Sequence, residues 1–123
     1  MHDNESSENY LETILVLSKK LPVVRSVDIA EELNVSKPSV SVAMKKLREN
    51  ECIVVSKSGF ITLTEKGQEI ASSIYERHTF ISGWLISLGV PEHIAIADAC
   101  RMEHHISKES FDAMKHFIQS AGQ

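Results

Sequence analysis

The chain has 123 residues, 42% of them hydrophobic and 24% charged, with a formal net charge of -4 at pH 7. That length holds one compact core or two small helical subdomains. The polar, acidic start from Met1 to Glu5 lacks a signal-peptide core, and no apolar run approaches the roughly 20 residues a membrane span needs, so a globular, cytoplasmic protein without a membrane partner is expected.

Tyr10, Leu11, Ile14, Leu15, Leu17 and Leu21 recur at helical spacing from Asn9 to Lys20, follow Ser6 and Ser7, and end at Pro22. Ser26 then stands as a cap before Val27, Ile29, Ala30 and Leu33, a short second helix that Asn34 can close in a left-handed turn. Ser36 caps a third helix with Pro38 in its first turn and an apolar stripe of Val40, Ala43, Met44 and Leu47. Two helices joined by about four residues, the second exposing Ser39, Ser41, Lys45, Lys46 and Arg48, form the pattern of a helix-turn-helix.

Residues Cys52 to Val55 and Phe60 to Leu63 read as two strands around Lys57-Ser58-Gly59, a wing hairpin. Thr64 caps a long amphipathic helix running through Ile70, Ala71, Ile74, Phe80, Ile81, Trp84, Leu85 and Leu88 to Gly89. Pro91 opens a fifth helix expected to reach His105, and Ser107 caps a sixth carrying Phe111, Met114, Phe117 and Ile118. The expected fold is mainly α: a winged helix-turn-helix over 1–70, then a helical domain over 71–123, with the hinge inside the fourth helix. The last three helices carry wider apolar stripes than they can bury among themselves, which predicts a homodimer.

Charge is uneven along this framework. Residues 36–58 hold five basic side chains (Lys37, Lys45, Lys46, Arg48, Lys57) against Glu49 and Glu51, a net of +3 that leaves -7 on the rest. A local basic face can grip phosphates, because counterion release depends on the contacting surface and not on the whole-protein total. Base contact is expected from Ser36, Lys37, Pro38, Ser39 and Ser41, with Lys45, Lys46 and Lys57 nearer phosphates of double-stranded DNA.

Cys100, Glu103 and His104 stand at i, i+3 and i+4, so on a helix a thiol, a carboxylate and an imidazole share one stripe, from which His105 is turned away by 140°. That is a metal-ligand arrangement. It also has a bland reading, in which Cys100 is a small buried hydrophobe and the other two end a helix. His78 in the fourth helix and Glu12 in the first are further candidates. Cys52 lies beside the strand run and Cys100 in the cluster, so both are expected as reduced thiols.

Taken together, Asn9-Tyr10-Leu11-Glu12, Val27-Asp28-Ile29-Ala30 through Ser39-Val40-Ser41, Leu63-Thr64-Glu65-Lys66-Gly67, Tyr75-Glu76-Arg77-His78 and Asp98-Ala99-Cys100-Arg101-Met102-Glu103-His104-His105 resemble the diphtheria toxin repressor family. That family comprises metal-dependent transcriptional repressors, among them iron regulators and shorter manganese transport regulators. The resemblance implies metal ligands at Glu12, His78, Cys100, Glu103 and His104. The length, ending at Gln123, is similar to the manganese type, without the SH3-like third domain of the longer iron regulators. Cysteine at position 100 is similar to the iron branch, where the manganese branch has a carboxylate. Asn9 falls where the manganese branch has aspartate and the iron branch methionine, and its amide oxygen is a weaker donor. Ser82 and Ile96 stand where the iron branch supplies further ligands.

The resulting expectation is a repressor of metal-uptake genes with Fe(II) as the first-choice corepressor and Mn(II) or Zn(II) as alternatives. No enzymatic activity and no protein substrate are expected, since no nucleophile-base pair or phosphate-binding loop is found. Two other readings stay open: a winged-helix regulator sensing redox state through Cys52 or Cys100, and a metal-binding protein or enzyme without a regulatory role.

Overall fold

A computed structural model describes the backbone of residues 2–121 and the side chains of residues 5–121. In chain order the elements are α1 (His2–Lys20), α2 (Ser26–Leu33), α3 (Lys37–Glu49), β1 (Ile53–Val55), β2 (Ile61–Leu63), α4 (Glu65–Ser87), α5 (Glu92–Met102) and α6 (Lys108–Ala121). The chain divides into two compact units, Met1–Ser73 and Ile74–Gln123. This division and the one expected after residue 70 both fall inside α4.

In the first unit, α1 begins seven residues before the expected Asn9. Apolar periodicity reports only the buried stretch of a helix, and residues 2–8 contain no Gly or Pro to break it. The cap of α2 is Arg25, in extended backbone, and not Ser26, which is already helical. The Arg25 N–H donates to Asp28 Oδ2 at 2.8 Å, half of a capping box that needs no hydroxyl at the cap itself. At the other end Asn34 takes φ 55° and the Val35 N–H reaches Ala30 O at 3.1 Å, the left-handed closure expected there. Ser36 caps α3 by accepting the Ser39 N–H at 3.3 Å.

The wing is an antiparallel pair with register Ile53↔Leu63, Val54↔Thr62 and Val55↔Ile61, each strand one residue shorter than expected. Period-two alternation turns Ile53 and Ile61 into the core and leaves Val54 outside. The Ile61 N–H also donates to Val24 O at 2.8 Å, so the segment before α2 lies along the far side of β2. At the base of the wing, Thr64 Oγ1 accepts the Gly67 N–H at 3.2 Å and donates to Glu51 O at 2.6 Å, which joins the cap of α4 to the end of α3. A Cβ at Gly67 would stand 2.0 Å from Cys52 O, so only glycine permits this approach. Leu11, Ile14, Ile29, Val40, Leu47, Ile53, Ile61 and Ala71 form one closed apolar core across these elements.

The second unit is thinner. The later part of α4, α5 and α6 meet at Ile81, Ala99 and Phe111, with Phe80, Leu85 and Ile106 partly buried around them. Ser107 starts α6 by accepting the Ser110 N–H at 3.0 Å. Helix α5 stops at Met102, three residues before the expected His105, and Glu103 is its C-cap. Among the described residues no helix is long and apolar enough to cross a membrane.

Candidate metal centre and nucleic-acid interface

Cys100, Glu103 and His104 do converge, although only Cys100 lies within α5 proper. The thiol sulfur, a carboxylate oxygen and a ring nitrogen lie within 4.8 Å of one another. The grouping survives the early helix end because Glu103 keeps right-handed helical angles (φ -61°, ψ -26°) and its N–H still reaches Ala99 O at 2.9 Å. His105 is exposed, off the stripe as its phase requires.

His78, from α4, joins the same group: its Nδ1 stands 2.9 Å from Glu103 Oε2. Glu103 is completely buried, with its Oε2 on His78. Its other oxygen, Oε1, is 3.3 Å from His104 Nε2 but has no hydrogen-bond partner among the described residues. Burying a carboxylate oxygen without a partner costs on the order of 1–3 kcal/mol or more. A site that gathers an unpartnered carboxylate oxygen, two imidazoles and a thiol has the donor set of a divalent transition metal, so the residues fit such an ion.

Glu12 and Asn9 belong to the first unit, where both lie half-buried on α1. The Asn9 backbone carbonyl accepts Thr13 Oγ1 at 2.8 Å, and Asn9 lines a shallow groove with Glu5, Ser6, Tyr10, Leu33 and Val35. Ser82 hydrogen-bonds back to Thr79 O, and Ile96 is exposed. Neither supplies a carboxylate or imidazole for a second ion.

The sequence reading passed over Arg77 as a functional residue. Its Nη1 donates to Glu103 O at 3.1 Å and Ile106 O at 2.8 Å, and its guanidinium lies 5.6 Å from the Phe111 ring centre. These partners are 26 to 34 residues away, so no local pattern could have revealed them.

On the first unit, Ser36, Lys37, Pro38, Ser39, Ser41, Lys45, Lys46 and Lys57 are all exposed. The Ser36 and Ser39 hydroxyls hydrogen-bond each other at 2.9 Å, so both are partly committed to the α3 cap. An open groove runs beside them, lined by Val35, Pro38, Ser39, Val42 and Lys46 with Tyr10 behind. Val42 is 71% exposed on α3, an apolar side chain on a face otherwise made of hydroxyls and lysines. Its position off the buried stripe is the signal the sequence offered. Arg25 stacks over Phe60 at 4.9 Å and so braces the wing against the start of α2.

A winged helix-turn-helix in one unit and a cation-demanding ligand group in the other define a metal-responsive DNA-binding regulator. Residues 4–59 match the iron-dependent repressor N-terminal DNA-binding domain, and residues 64–122 match the iron-dependent repressor metal-binding and dimerisation domain. The chain belongs to the iron-dependent repressor family, a family of transcriptional regulators. It is 36% identical over 121 residues to the transcriptional regulator MntR of Escherichia coli O6:H1, covering 98% of this chain and 78% of that protein. Among solved structures it is similar to the manganese regulator SloR (32% identity, TM-score 0.82) and to ScaR with bound zinc (26% identity, TM-score 0.77). Each of these alignments covers 92% of this chain and 53% of the other, so the chain spans about half the length of the solved structures it matches.

Proposed function

We propose that the chain is a homodimeric repressor of metal-uptake genes in the cytoplasm, whose grip on a double-stranded DNA operator depends on a divalent metal held by His78, Cys100, Glu103 and His104, with Glu12 and the weaker amide donor Asn9 from α1. The observation that carries this reading is Glu103 Oε1, fully buried and without a hydrogen bond among the described residues, beside the His104 imidazole and the Cys100 thiol. When bound, the ion supplies positive charge and a fixed set of ligand directions. The protein's own groups prepare this. His78 and Glu103 hold each other at 2.9 Å, and a contact of this kind fixes the orientation of both side chains.

With the ligands fixed, the two recognition helices of a dimer can be held about one DNA turn apart, on the order of 34 Å, and a larger fraction of molecules is competent to bind. Linkage requires that DNA tighten metal binding by the same factor, with couplings of about 1–3 kcal/mol typical. In the second unit, an apolar groove of Trp84, Met114, Phe117 and Ile118 is the face we assign to the dimer.

The Cys100 thiolate favours borderline metals such as Fe(II), Co(II) or Zn(II) over Mn(II), which prefers oxygen donors, and Fe(II) comes first among them only through the similarity of Cys100 to the iron branch. The similarity to manganese regulators pulls the other way. Anaerobic DNA-retention assays with Fe(II), Mn(II) and Zn(II) separate these. Retention is expected to be much stronger with metal than in chelator, and Cys100→Asp is expected to shift the preference toward Mn(II). Equal retention in all lanes, chelator included, removes the proposed function. An unchanged preference in the variant removes Cys100 as the selector.

A further inference from the structure

We propose that Arg77 is the positioning residue of this metal centre: it is not a ligand, but it sets where Glu103 and His104 stand relative to His78. The inference rests on the metal reading above and adds a residue to which that reading gives no role.

A helix leaves its last carbonyls without intrahelical partners, and here the chain turns sharply just past Met102, with the His105 N–H reaching Met102 O at 3.1 Å. The carbonyls of Glu103 and Ile106 both point to one nitrogen, Arg77 Nη1, at 3.1 and 2.8 Å. Charge-assisted bonds of this kind are roughly twice as strong as neutral ones, and a planar guanidinium fixes direction as well as distance. The head group is itself held, because it lies over Phe111, which is buried and meets Phe80 edge-on at 5.6 Å.

Arg77 and His78 are consecutive on α4, so a single helical turn engages both ends of Glu103. His78 takes the side chain through Oε2, and Arg77 takes the backbone through the carbonyl. With the backbone pinned, Glu103 keeps only its side-chain torsions, and His104, one peptide further on, inherits the same fixed frame. A ligand group held this way is preorganised, and residues that only orient ligands commonly account for about 10- to 100-fold in metal affinity.

A cap with a merely structural role would lower stability equally in the metal-free and metal-loaded protein and leave the coordination geometry alone. The test therefore reads the metal. Full-length Arg77→Met and Arg77→Lys are titrated anaerobically with Co(II), whose bond to the Cys100 thiolate gives a charge-transfer band, and affinity is measured by competition with a chromophoric chelator. Circular dichroism of the metal-free forms is recorded in parallel. We expect Arg77→Met to lose about 10- to 100-fold in affinity with an altered Co(II) spectrum and unchanged helix content. Arg77→Lys, which keeps the charge but not the fork, should fall between. Should Arg77→Met fail to fold, Arg77→Lys decides alone. Wild-type affinity and spectrum in a folded variant overturn the proposal. If the wild-type chain binds no Co(II), the metal reading itself falls and the proposal with it.

Discussion

The two units are built on opposite terms. In the first, the interior is closed by apolar side chains: Leu11, Ile14, Ile29, Val40 and Leu47 are almost wholly buried, and the buried hydroxyl of Thr13 donates to Asn9 O within α1. In the second, the apolar cluster is Ile81, Ala99 and Phe111, with Ile74 and Ala95 buried besides, Glu103 is fully buried, and Leu88 and Phe117 are 63% and 73% exposed. A reading head can be finished by folding, whereas a sensing unit that were finished by folding would have nothing left for its signal to complete. The stability of the second unit is therefore expected to depend strongly on what it binds, and that of the first, whose donors lie outside its closed core, much less.

The largest effect should come from Glu103→Gln. Loss of a ligand should cost more than about 100-fold in metal affinity, since losing a residue that only orients ligands already costs about 10- to 100-fold. The same variant should raise the metal-free unfolding midpoint, because an amide removes the burial of a carboxylate whose Oε1 has no hydrogen bond among the described residues, a cost on the order of 1–3 kcal/mol. Chelator competition and urea melts in EDTA check both. A variant that binds metal normally, or is less stable without it, would break the contrast between the units.

Leu11→Ala is the counterpart in the first unit. Leu11 is 1% exposed in the closed core, so its truncation should cost about 2–5 kcal/mol. Here the loss should appear in urea melts with and without metal alike. If added metal were to restore the midpoint fully, the first unit would prove as ligand-dependent as the second.

The same contrast explains what could be read in advance. The first unit follows local rules, and its helices, left-handed Asn34 and wing hairpin were legible as periodicity, caps and turns, except for the polar start of α1, which carries no apolar spacing. Arg25 displaced Ser26 as the α2 cap because the Asp28 carboxylate supplies the bond from the other direction, which a search for cap hydroxyls misses. In the second unit the grouping of Cys100, Glu103 and His104 was legible from spacing. The end of α5 was not, since residues 103–105 carry no breaker and the chain turns where Arg77 collects two carbonyls from a distant helix. The inclusion of His78 rested on resemblance, because two residues 25 apart share no local pattern.

The smallest predicted effect sharpens the division further. Lys46 is exposed beside Pro38, Ser39 and Val42 on the groove flanking α3, and Lys46→Ala should weaken binding to all DNA sequences alike. If Lys46 neutralises one phosphate, the slope of log K against log salt should flatten by about 0.9. Fluorescence anisotropy across a salt series, with and without metal, reads that slope. The decrement should be the same in both conditions, because the lysine belongs to a surface that folding alone completes. In Glu103→Gln, by contrast, only the metal-dependent part of the affinity should disappear. A Lys46 decrement confined to the metal-loaded protein would mean that the DNA face itself is remade by the ion, and that the reading head is not finished by folding after all.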